Sequence, residues 1–253
     1  MKKRLLVIVS VALLLAGCTE LTQILQTVSE ATTNSSALTE REVISGLKEA
    51  LTIGARNSAG ILSKENGYYG DELVKILLPE QAQVVVNNIS RIPGGEELLE
   101  NVILSINRAA EDAAKEVAPI FVNAITDMTV ADAWGVLRGG NSAATNYLKS
   151  TTYTKLYDLY KPKIQASISK TFVGDISAAS TWNTLTSKWN SVANTMVGRL
   201  AGFNPVNVEL DEYLTNKALD GMFLKVQDEE NKIRTNVSAR VTTLLRRVFG
   251  SLD

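Results

Sequence analysis

The stretch from Asp211 to Gly250, DEYLTNKALDGMFLKVQDEENKIRTNVSARVTTLLRRVFG, decides the fold class. Its apolar positions recur at helical spacing and predict one helix from Asp211 to about Arg234 and a last helix that Asn236 caps. Gly250 lies just beyond the last helix, where glycine commonly ends one. The apolar residues of the last helix share one face: Val237, Val241, Leu244, Leu245 and Val248.

Helical spacing also fills the chain upstream of this stretch. Thr39 and Glu42 form a capping box, T-x-x-E, at the start of the first helix. The longest pattern runs from Glu96 to about Thr126, and we expect it to bend at Pro119. Further helices are predicted from Pro79, from Thr129 with Asp132, from Ser142 to Lys149, from Thr152 to Phe172 with Pro162 inside, and along Trp182, Leu185, Trp189, Val192 and Met196. No stretch of useful length alternates with the period of a strand, so we predict an all-α domain of about nine helices over residues 39–253.

The first twenty residues, MKKRLLVIVSVALLLAGCTE, have the pattern of a secretory signal. Three basic residues precede an apolar run from Leu5 to Ala16, which is shorter than the roughly 20 residues of a membrane-spanning helix. The sequence LAGC at 15–18 resembles the lipobox of bacterial lipoproteins, and Cys18 is the only cysteine in the chain. By that resemblance residues 1–17 are a lipoprotein signal peptide, and Cys18 becomes the acylated first residue that anchors the mature protein to a membrane. The plainer alternative is a free thiol behind an ordinary signal peptide.

A stretch rich in Thr and Ser, residues 18–38, follows the signal. Such a composition predicts a flexible tether between the anchor and the helical domain. Thr19 occupies the position where an Asp would favour retention at the inner membrane. If the cell is Gram-negative, this favours an outer-membrane lipoprotein that faces the periplasm.

The composition excludes several classes of function. The chain has no histidine and its one cysteine is assigned to acylation, which excludes Ser–His–Asp and Cys–His nucleophiles and zinc sites built on His or Cys. Three of the 26 basic residues lie in the signal, and the rest are outnumbered by the 27 acidic residues, so nucleic acid is not an expected partner. Hydrophobic residues make up 45% of the chain, enough for a packed core. We predict no cofactor, no metal and no enzymatic activity.

Four stretches together resemble one bacterial lipoprotein family. They are ISGLKEALTIGARNSAGIL (44–62), VADAWGVLRGGNSAATNYLKSTTYTKL (130–156), YLTNKALDGMFLKVQDEENKIRTN (213–236) and ARVTTLLRRVFG (239–250). The family is known as domain of unknown function 4197, and the resemblance extends from about Glu42 to Gly250. It implies a periplasmic, mostly helical lipoprotein, and it implies no activity, substrate or catalytic residue.

Charged residues cluster at the joint between the last two predicted helices. Glu229 and Glu230 lie shortly before Arg234, and Arg240 begins the following helix. A carboxylate–guanidinium network there could hold a polar ligand or a partner's charge. The plainer interpretation is a surface pair of Glu230 with Arg234, four residues apart, and a tertiary pair that joins the two helices is intermediate.

The turn LRGGNS, at 137–142, is a second candidate site. Arg138, Gly139, Gly140 and Ser142 could cradle an anion, because backbone amides at the start of a helix bind negative charge. The turn is not a P-loop, since the spacing G-x-x-x-x-G-K-[ST] and its lysine are missing. A tight corner between two helices accounts for the glycines without a ligand.

Aromatic residues at helical spacing form a third candidate site. Tyr153, Tyr157, Trp182 and Trp189 could line a pocket for an acyl chain or an aromatic ligand. The plainer interpretation is that these side chains belong to the core.

Three functions follow from these features. The leading hypothesis is a non-enzymatic, lipid-anchored helical domain that binds or scaffolds a partner, such as an envelope protein, at the periplasmic face of the envelope. The second is a carrier or sensor of an amphipathic small molecule held between aromatic-lined helices. The third is a hydrolase that works with carboxylates alone, and its candidate residues are Asp127, Asp132, Asp220 and Glu229.

Overall fold

A computed structural model describes residues 37–173 and 176–253 of the chain. Within these ranges the fold is all-α, as predicted, and contains ten α-helices. The helices are α1 (Glu40–Leu62), α2 (Gln83–Asn87), α3 (Gly95–Ala114), α4 (Val117–Asp127), α5 (Ala133–Arg138), α6 (Ala143–Ile168), α7 (Ala178–Ala193), α8 (Met196–Leu200), α9 (Leu210–Thr235) and α10 (Thr243–Phe249). Two short antiparallel strands, β1 (Thr171–Val173) and β2 (Ile176–Ser177), connect α6 to α7. The predicted signal peptide, Cys18 and the tether up to residue 36 lie outside the described residues.

Helix α9 is the central element of the domain, because it packs along both α1 and α6. It therefore buries a broad face, which includes Leu214, Leu219 and Val226. Gly54 of α1 faces α9, where a Cβ added to it would lie 3.4 Å from Cβ of Glu229 and 3.6 Å from Cγ1 of Val226. None of the helices in the described ranges is both long and apolar enough to cross a membrane.

The long helix predicted from Glu96 to about Thr126 is two helices in the structure, α3 and α4. The helix breaks at Lys115 and Glu116, before the predicted bend at Pro119. Proline lacks a backbone N–H, and its ring clashes with the carbonyl four residues earlier, which here belongs to Lys115. The break therefore falls one turn ahead of the proline.

Helix α6 runs unbroken where we predicted two helices, from Ser142 to Lys149 and from Thr152 to Phe172. The hydroxyl of Thr152 donates to the carbonyl of Leu148 one turn earlier, so this polar residue fits inside the helix. Pro162 removes one helical hydrogen bond without ending the helix. Burial explains this, because the residues on both sides of the proline insert into one core: Leu156, Tyr160 and Ile164.

The apolar stripe that begins at Trp182 ends earlier than predicted. It stops with α7 at Ala193, and Met196 is exposed in a separate helix, α8. Thr195 causes the break, because its side chain accepts a hydrogen bond from the N–H of Gly198 and caps α8.

The last helix begins later than predicted. Asn236 caps only a short 3₁₀ turn, Val237–Ala239, and the side chain of Thr242 caps α10. As a result Val237 and Val241 are exposed, although we predicted them on the apolar face of the last helix. The other three residues of that face belong to α10: Leu244, Leu245 and Val248.

Two other helix starts also differ from the prediction. Pro79 precedes a 3₁₀ turn, Glu80–Ala82, and is not the first residue of a helix. Asp132 itself caps α5 by accepting a hydrogen bond from the N–H of Gly135 at 2.8 Å, so Thr129 is not the cap.

Candidate functional site

The charged residues near the end of α9 form a buried network, which excludes the surface pair considered from the spacing. Glu230 and Arg234 are 2% and 7% exposed, and Nε of Arg234 donates to Oε1 of Glu230 at 2.7 Å. The N–H of Ala144 donates to Oε1 of Glu230 at 3.0 Å. The N–H and the hydroxyl of Thr145 both donate to Oε2 at 2.7 Å. Both oxygens of the Glu230 carboxylate are therefore occupied by protein groups.

Arg234 completes the same joint from its other side. Its two terminal nitrogens donate to the carbonyls of Val136 and Leu137, at 3.0 and 2.6 Å, in the last turn of α5. The pair thus places positive charge at the C-terminus of α5 and negative charge at the N-terminus of α6. This arrangement complements both helix dipoles and ties α5, α6 and α9 together.

The glycine turn and the charged network are one site. The turn between α5 and α6 contains the predicted residues Arg138, Gly139, Gly140 and Ser142. The amides that follow it, which we expected to face an external anion, bind Glu230. Ser142 makes no capping hydrogen bond with its side chain, so the carboxylate acts as the cap. A side chain at Gly139 would meet Cβ of Ala143 at 2.6 Å, which shows how tight the corner is.

The other two members of the predicted network lie beside this joint. Arg240 is buried, donates to two carbonyls at the end of α9 and pairs with Asp253 at 2.6–2.7 Å. The hydrogen bond from Arg240 lowers the pKa of Asp253. Glu229 is not part of the network of Glu230 and Arg234, and it accepts a hydrogen bond from Asn57 of α1 at 2.6 Å.

The four aromatic residues predicted to share a pocket lie in two separate places. Tyr153 and Tyr157 are half-buried on α6. Trp182 and Trp189 are buried in α7, and each donates its indole N–H to a carbonyl in the segment 204–208. Trp182 borders a hollow of about 580 Å³ beside that segment, and the other three aromatic residues do not line this hollow. The structure therefore does not bring the four aromatic residues together.

The carboxylates considered for hydrolysis each have a structural partner. Asp127 pairs with Lys155, Asp132 caps α5, Asp220 pairs with Lys149, and Glu229 binds Asn57. The hydrogen bond from Lys155 lowers the pKa of Asp127. Across residues 37–173 and 176–253, no group of three or more carboxylate, cysteine or histidine side chains could hold a metal ion.

An open groove of about 780 Å³ lies between the segment 73–83 and helices α6 and α9. Residues 75–79 of this segment are outside any helix, and burial alternates along them. Ile76 and Leu78 are buried, whereas the side chain of Leu77 between them is 55% exposed. This alternation is typical of a strand with one face on the core. Phe223 of α9 and Lys149 of α6 are among the residues on the other sides of the groove.

Two buried polar residues of α3 fix the chain that leads to this groove. Asn107 accepts from the N–H of Ile76 at 2.9 Å and donates to its carbonyl at 2.7 Å, as a neighbouring strand would. Glu111 accepts hydrogen bonds from the backbone N–H groups of Tyr68 and Tyr69, at 3.1 and 3.0 Å. Neither residue was predicted from the sequence. The signal was present, because they are four apart and polar on the otherwise apolar face of α3.

Tyr213 of α9 holds the segment from the side of the groove. Its hydroxyl donates to the carbonyl of Leu77 at 2.7 Å. Burial raises the pKa of Tyr213 to about 12, so the hydroxyl keeps its proton and remains a donor. In extended backbone the N–H and the carbonyl of one residue point to the same side. The N–H of Leu77 therefore faces the groove, and nothing in the described part of the chain accepts its hydrogen bond.

The sequence model of one family matches residues 37–250 of the chain, and its description is Protein of unknown function (DUF4197). The match covers α1 to α10, the charged network and the groove, and it confirms the resemblance seen in the sequence. No curated protein and no solved structure matches the chain.

Proposed function

We propose a binding function for this chain, which belongs to the family of proteins of unknown function DUF4197. The protein is a non-enzymatic, lipid-anchored domain that holds an extended segment of an envelope protein in the groove beside α9. One observation carries this proposal. The unpaired N–H and the exposed side chain of Leu77 lie along an open groove, on backbone that Asn107 and Tyr213 hold extended.

We expect an extended polypeptide in this groove because the N–H of Leu77 can pair with it, whereas the N–H of Lys75 already donates to Asp71 and position 79 is proline. An exposed strand edge offers backbone hydrogen bonds to a second strand, and pockets for alternate side chains then add specificity. Leu77 supplies the free N–H, and Phe223 supplies apolar surface on the opposite side. Because Asn107 already fixes the backbone of Ile76, binding requires little ordering of the domain.

The charges around the groove favour a partner segment with an acidic residue. Lys149 pairs with Asp220 at 3.0 Å, and Lys75 is 3.6 Å from Glu72. Lys217 is exposed and forms no ion pair within the described ranges. A carboxylate of the partner would be attracted to Lys217, which is not already paired with a carboxylate of the described residues.

The location at the envelope rests on the N-terminal sequence. LAGC at 15–18 supplies the acylation site at Cys18, and the stretch 18–38 spans up to about 75 Å when extended. An anchored groove on such a tether could meet partners embedded in the membrane or lying beside it. The absence of histidine supports a role in binding over one in catalysis.

A carrier or sensor of an amphipathic small molecule is a second candidate. The groove favours it, because Phe223 and Leu224 supply apolar surface and Lys217 supplies a positive charge. Native mass spectrometry of the mature protein, extracted gently from membranes, separates the two functions. A bound small molecule of constant mass favours the carrier, and a chain free of such a molecule favours the protein partner.

The binding site is tested by Leu77→Asp, which places a charge in the groove. We expect the full-length variant to lose the envelope protein that co-purifies with the wild type from a mild detergent extract. Leu159→Asp is the matched control, because Leu159 is also exposed and lies outside the groove. Equal recovery of the same protein with all three chains would contradict the proposed site.

The anchor is tested by Cys18→Ser. We expect the wild type to incorporate labelled palmitate and to sediment with membranes, and we expect the variant to do neither. Equal labelling of both chains would rule out Cys18 as the acylated residue. Because Cys18→Ser leaves the groove unchanged, this result is independent of the one for Leu77.

A further inference from the structure

Helix α8 exposes three large apolar side chains together. Met196, Val197 and Leu200 are 81%, 73% and 83% exposed, and they lie within a single five-residue helix. We call these three residues the apolar tip. Scattered single apolar residues on a surface are ordinary, whereas side chains that protrude together mark a contact site.

The segment that carries the tip is held firmly at both ends. Thr195 caps α8 through the N–H of Gly198 at 2.9 Å. After the tip, the side chain of Asn190 bonds both the N–H and the carbonyl of Val206, at 2.8 and 3.1 Å. The indole N–H of Trp189 donates to the carbonyl of Asn204 at 3.0 Å. The structure therefore presents the tip on a fixed base.

Basic residues accompany the tip in the sequence. No acidic residue occurs between Ile176 and Val208, whereas this stretch contains Lys188 and Arg199. Neither cation forms an ion pair within the described residues. Arg91 adds a third cation, because its guanidinium lies 5.3 Å from the ring of Phe203, just after the tip.

We propose that the apolar tip inserts into the surface of an anionic lipid bilayer. Apolar side chains that enter the boundary between headgroups and acyl chains, with cations beside them, are the features of interfacial membrane binding. Three side chains are few for a protein interface, which buries about 800 Å² on each partner. Lys188, Arg199 and Arg91 then face lipid phosphates, which supply the negative charge that this part of the chain lacks.

Membrane contact by the tip is independent of the groove and of acylation at Cys18. It would orient the anchored domain by giving it a second attachment point. When one of two attachments on a chain is bound to the membrane, the effective concentration of the other at the membrane rises. The tip therefore does not need a high affinity of its own for the membrane.

The test uses the chain from residue 18 onward with Cys18→Ser, so that no acyl chain contributes. Co-sedimentation is measured with vesicles of phosphatidylethanolamine and phosphatidylglycerol and with vesicles of phosphatidylcholine alone. We expect binding to the anionic vesicles only, and we expect Met196→Asp/Leu200→Asp to weaken it at least about tenfold. The pair Val237→Asp/Val241→Asp is the matched control, because these residues are 59% and 63% exposed elsewhere on the surface.

A depth measurement supplies a second readout. Tryptophan introduced as Leu200→Trp should be quenched by brominated acyl chains, and Val241→Trp should not. Leu77→Asp should bind vesicles as the parent chain does, which separates this result from the groove. Failure of the parent chain to bind anionic vesicles, or equal binding by the Met196→Asp/Leu200→Asp chain, would overturn the inference.

Discussion

Glu230 stabilises the domain at the point where three helices meet. Its carboxylate accepts hydrogen bonds from the amides of Ala144 and Thr145, from the hydroxyl of Thr145 and from Arg234. Desolvating such a pair is costly, and the cost is offset only where both charges are fully hydrogen-bonded, as they are here. Glu230 is thus more important to the stability of the domain than its place on a polar helix suggests.

Removing one partner of this pair should be strongly destabilising. We expect Glu230→Ala to lower the free energy of unfolding by about 3–5 kcal/mol, because it leaves the Arg234 guanidinium buried without its carboxylate. Urea denaturation monitored by circular dichroism measures the change. The control is Asp127→Ala, which breaks an exposed pair with Lys155 and should change the free energy of unfolding little. Similar losses in the two variants would show that the buried network is not special.

The Asp71 carboxylate holds the turn that leads to the groove and should make stability depend on pH. A hydrogen bond from Lys225, at 2.6 Å, lowers the pKa of Asp71 from its ordinary value of 3.8, and the N–H of Leu73 lowers it further. A lowered pKa contributes stability above the ordinary value and loses it as the pH falls through the folded value. We therefore expect Asp71→Asn to be less stable than the wild type at pH 7 by about 1 kcal/mol, with the difference shrinking below pH 3.8.

Urea denaturation at pH 7 and at about pH 3 checks this prediction. The neighbouring exposed residue supplies the control, and Glu72→Gln should change stability little at either pH. A difference between wild type and Asp71→Asn that stays constant as the pH falls would show that the ion pair does not contribute as described.

Helices α1 and α10 pack closely together at Gly46. A Cβ added at Gly46 of α1 would lie 2.7 Å from Cγ2 of Val248 in α10, and Val248 is fully buried and cannot move aside. Glycine inside a helix costs up to about 1 kcal/mol in propensity, so its presence at position 46 is explained by the contact.

Two of the three glycines of α1, Gly46 and Gly60, should respond in opposite directions to the same substitution. Gly46→Ala should destabilise the domain by about 1–3 kcal/mol through overpacking. Gly60→Ala should stabilise it by about 0.5–1 kcal/mol, because nothing lies within 4 Å of the added methyl group. Thermal and urea denaturation measure both. In a Val248→Ala background the cost of Gly46→Ala should fall in part, because both Cγ atoms are removed while Cβ of residue 248 stays 2.9 Å from the added methyl group. An unchanged cost would refute the contact as its cause.

Helical periodicity predicted the existence of the long elements but not all of their ends. The broad apolar repeats of α1 and α9 survive in the structure because burial on one face is a regional property. The ends depend on single side chains, such as Thr195 at the start of α8 and Thr242 at the start of α10. Pro162 shows the converse, because packing of the residues around it overrides a local signal to stop.

The candidate sites differ in how far sequence could predict them. Glu230, Arg234 and the turn at 137–142 were each noticed from local spacing, but their union depends on a contact between residues about ninety positions apart. The groove was not predicted, since it depends on contacts of segment 73–83 with Asn107 of α3 and with Tyr213 of α9. Local patterns carry no information on such long-range pairings, whereas a lone polar residue on a buried face does signal one.

The groove and the apolar tip lie on different elements, and they give the domain two distinct surfaces. The groove lies beside α9 and presents the unpaired backbone at Leu77, and the tip projects from the connection between α7 and α9. We propose that these surfaces, together with an acyl chain at Cys18, serve a domain that is attached to a membrane and receives part of another protein. Buried networks at Glu230 and Glu111 supply the rigidity that such a scaffold needs.

Site-specific photo-crosslinking in living cells tests the proposed binding function most directly. A photoreactive amino acid replaces Leu77 in one full-length chain and Leu159 in another, each at native expression levels. We predict that position 77 forms one discrete adduct with a single envelope protein, within a short segment of that partner, and that position 159 forms none. The absence of an adduct at position 77, or identical adducts from both positions, would contradict the account.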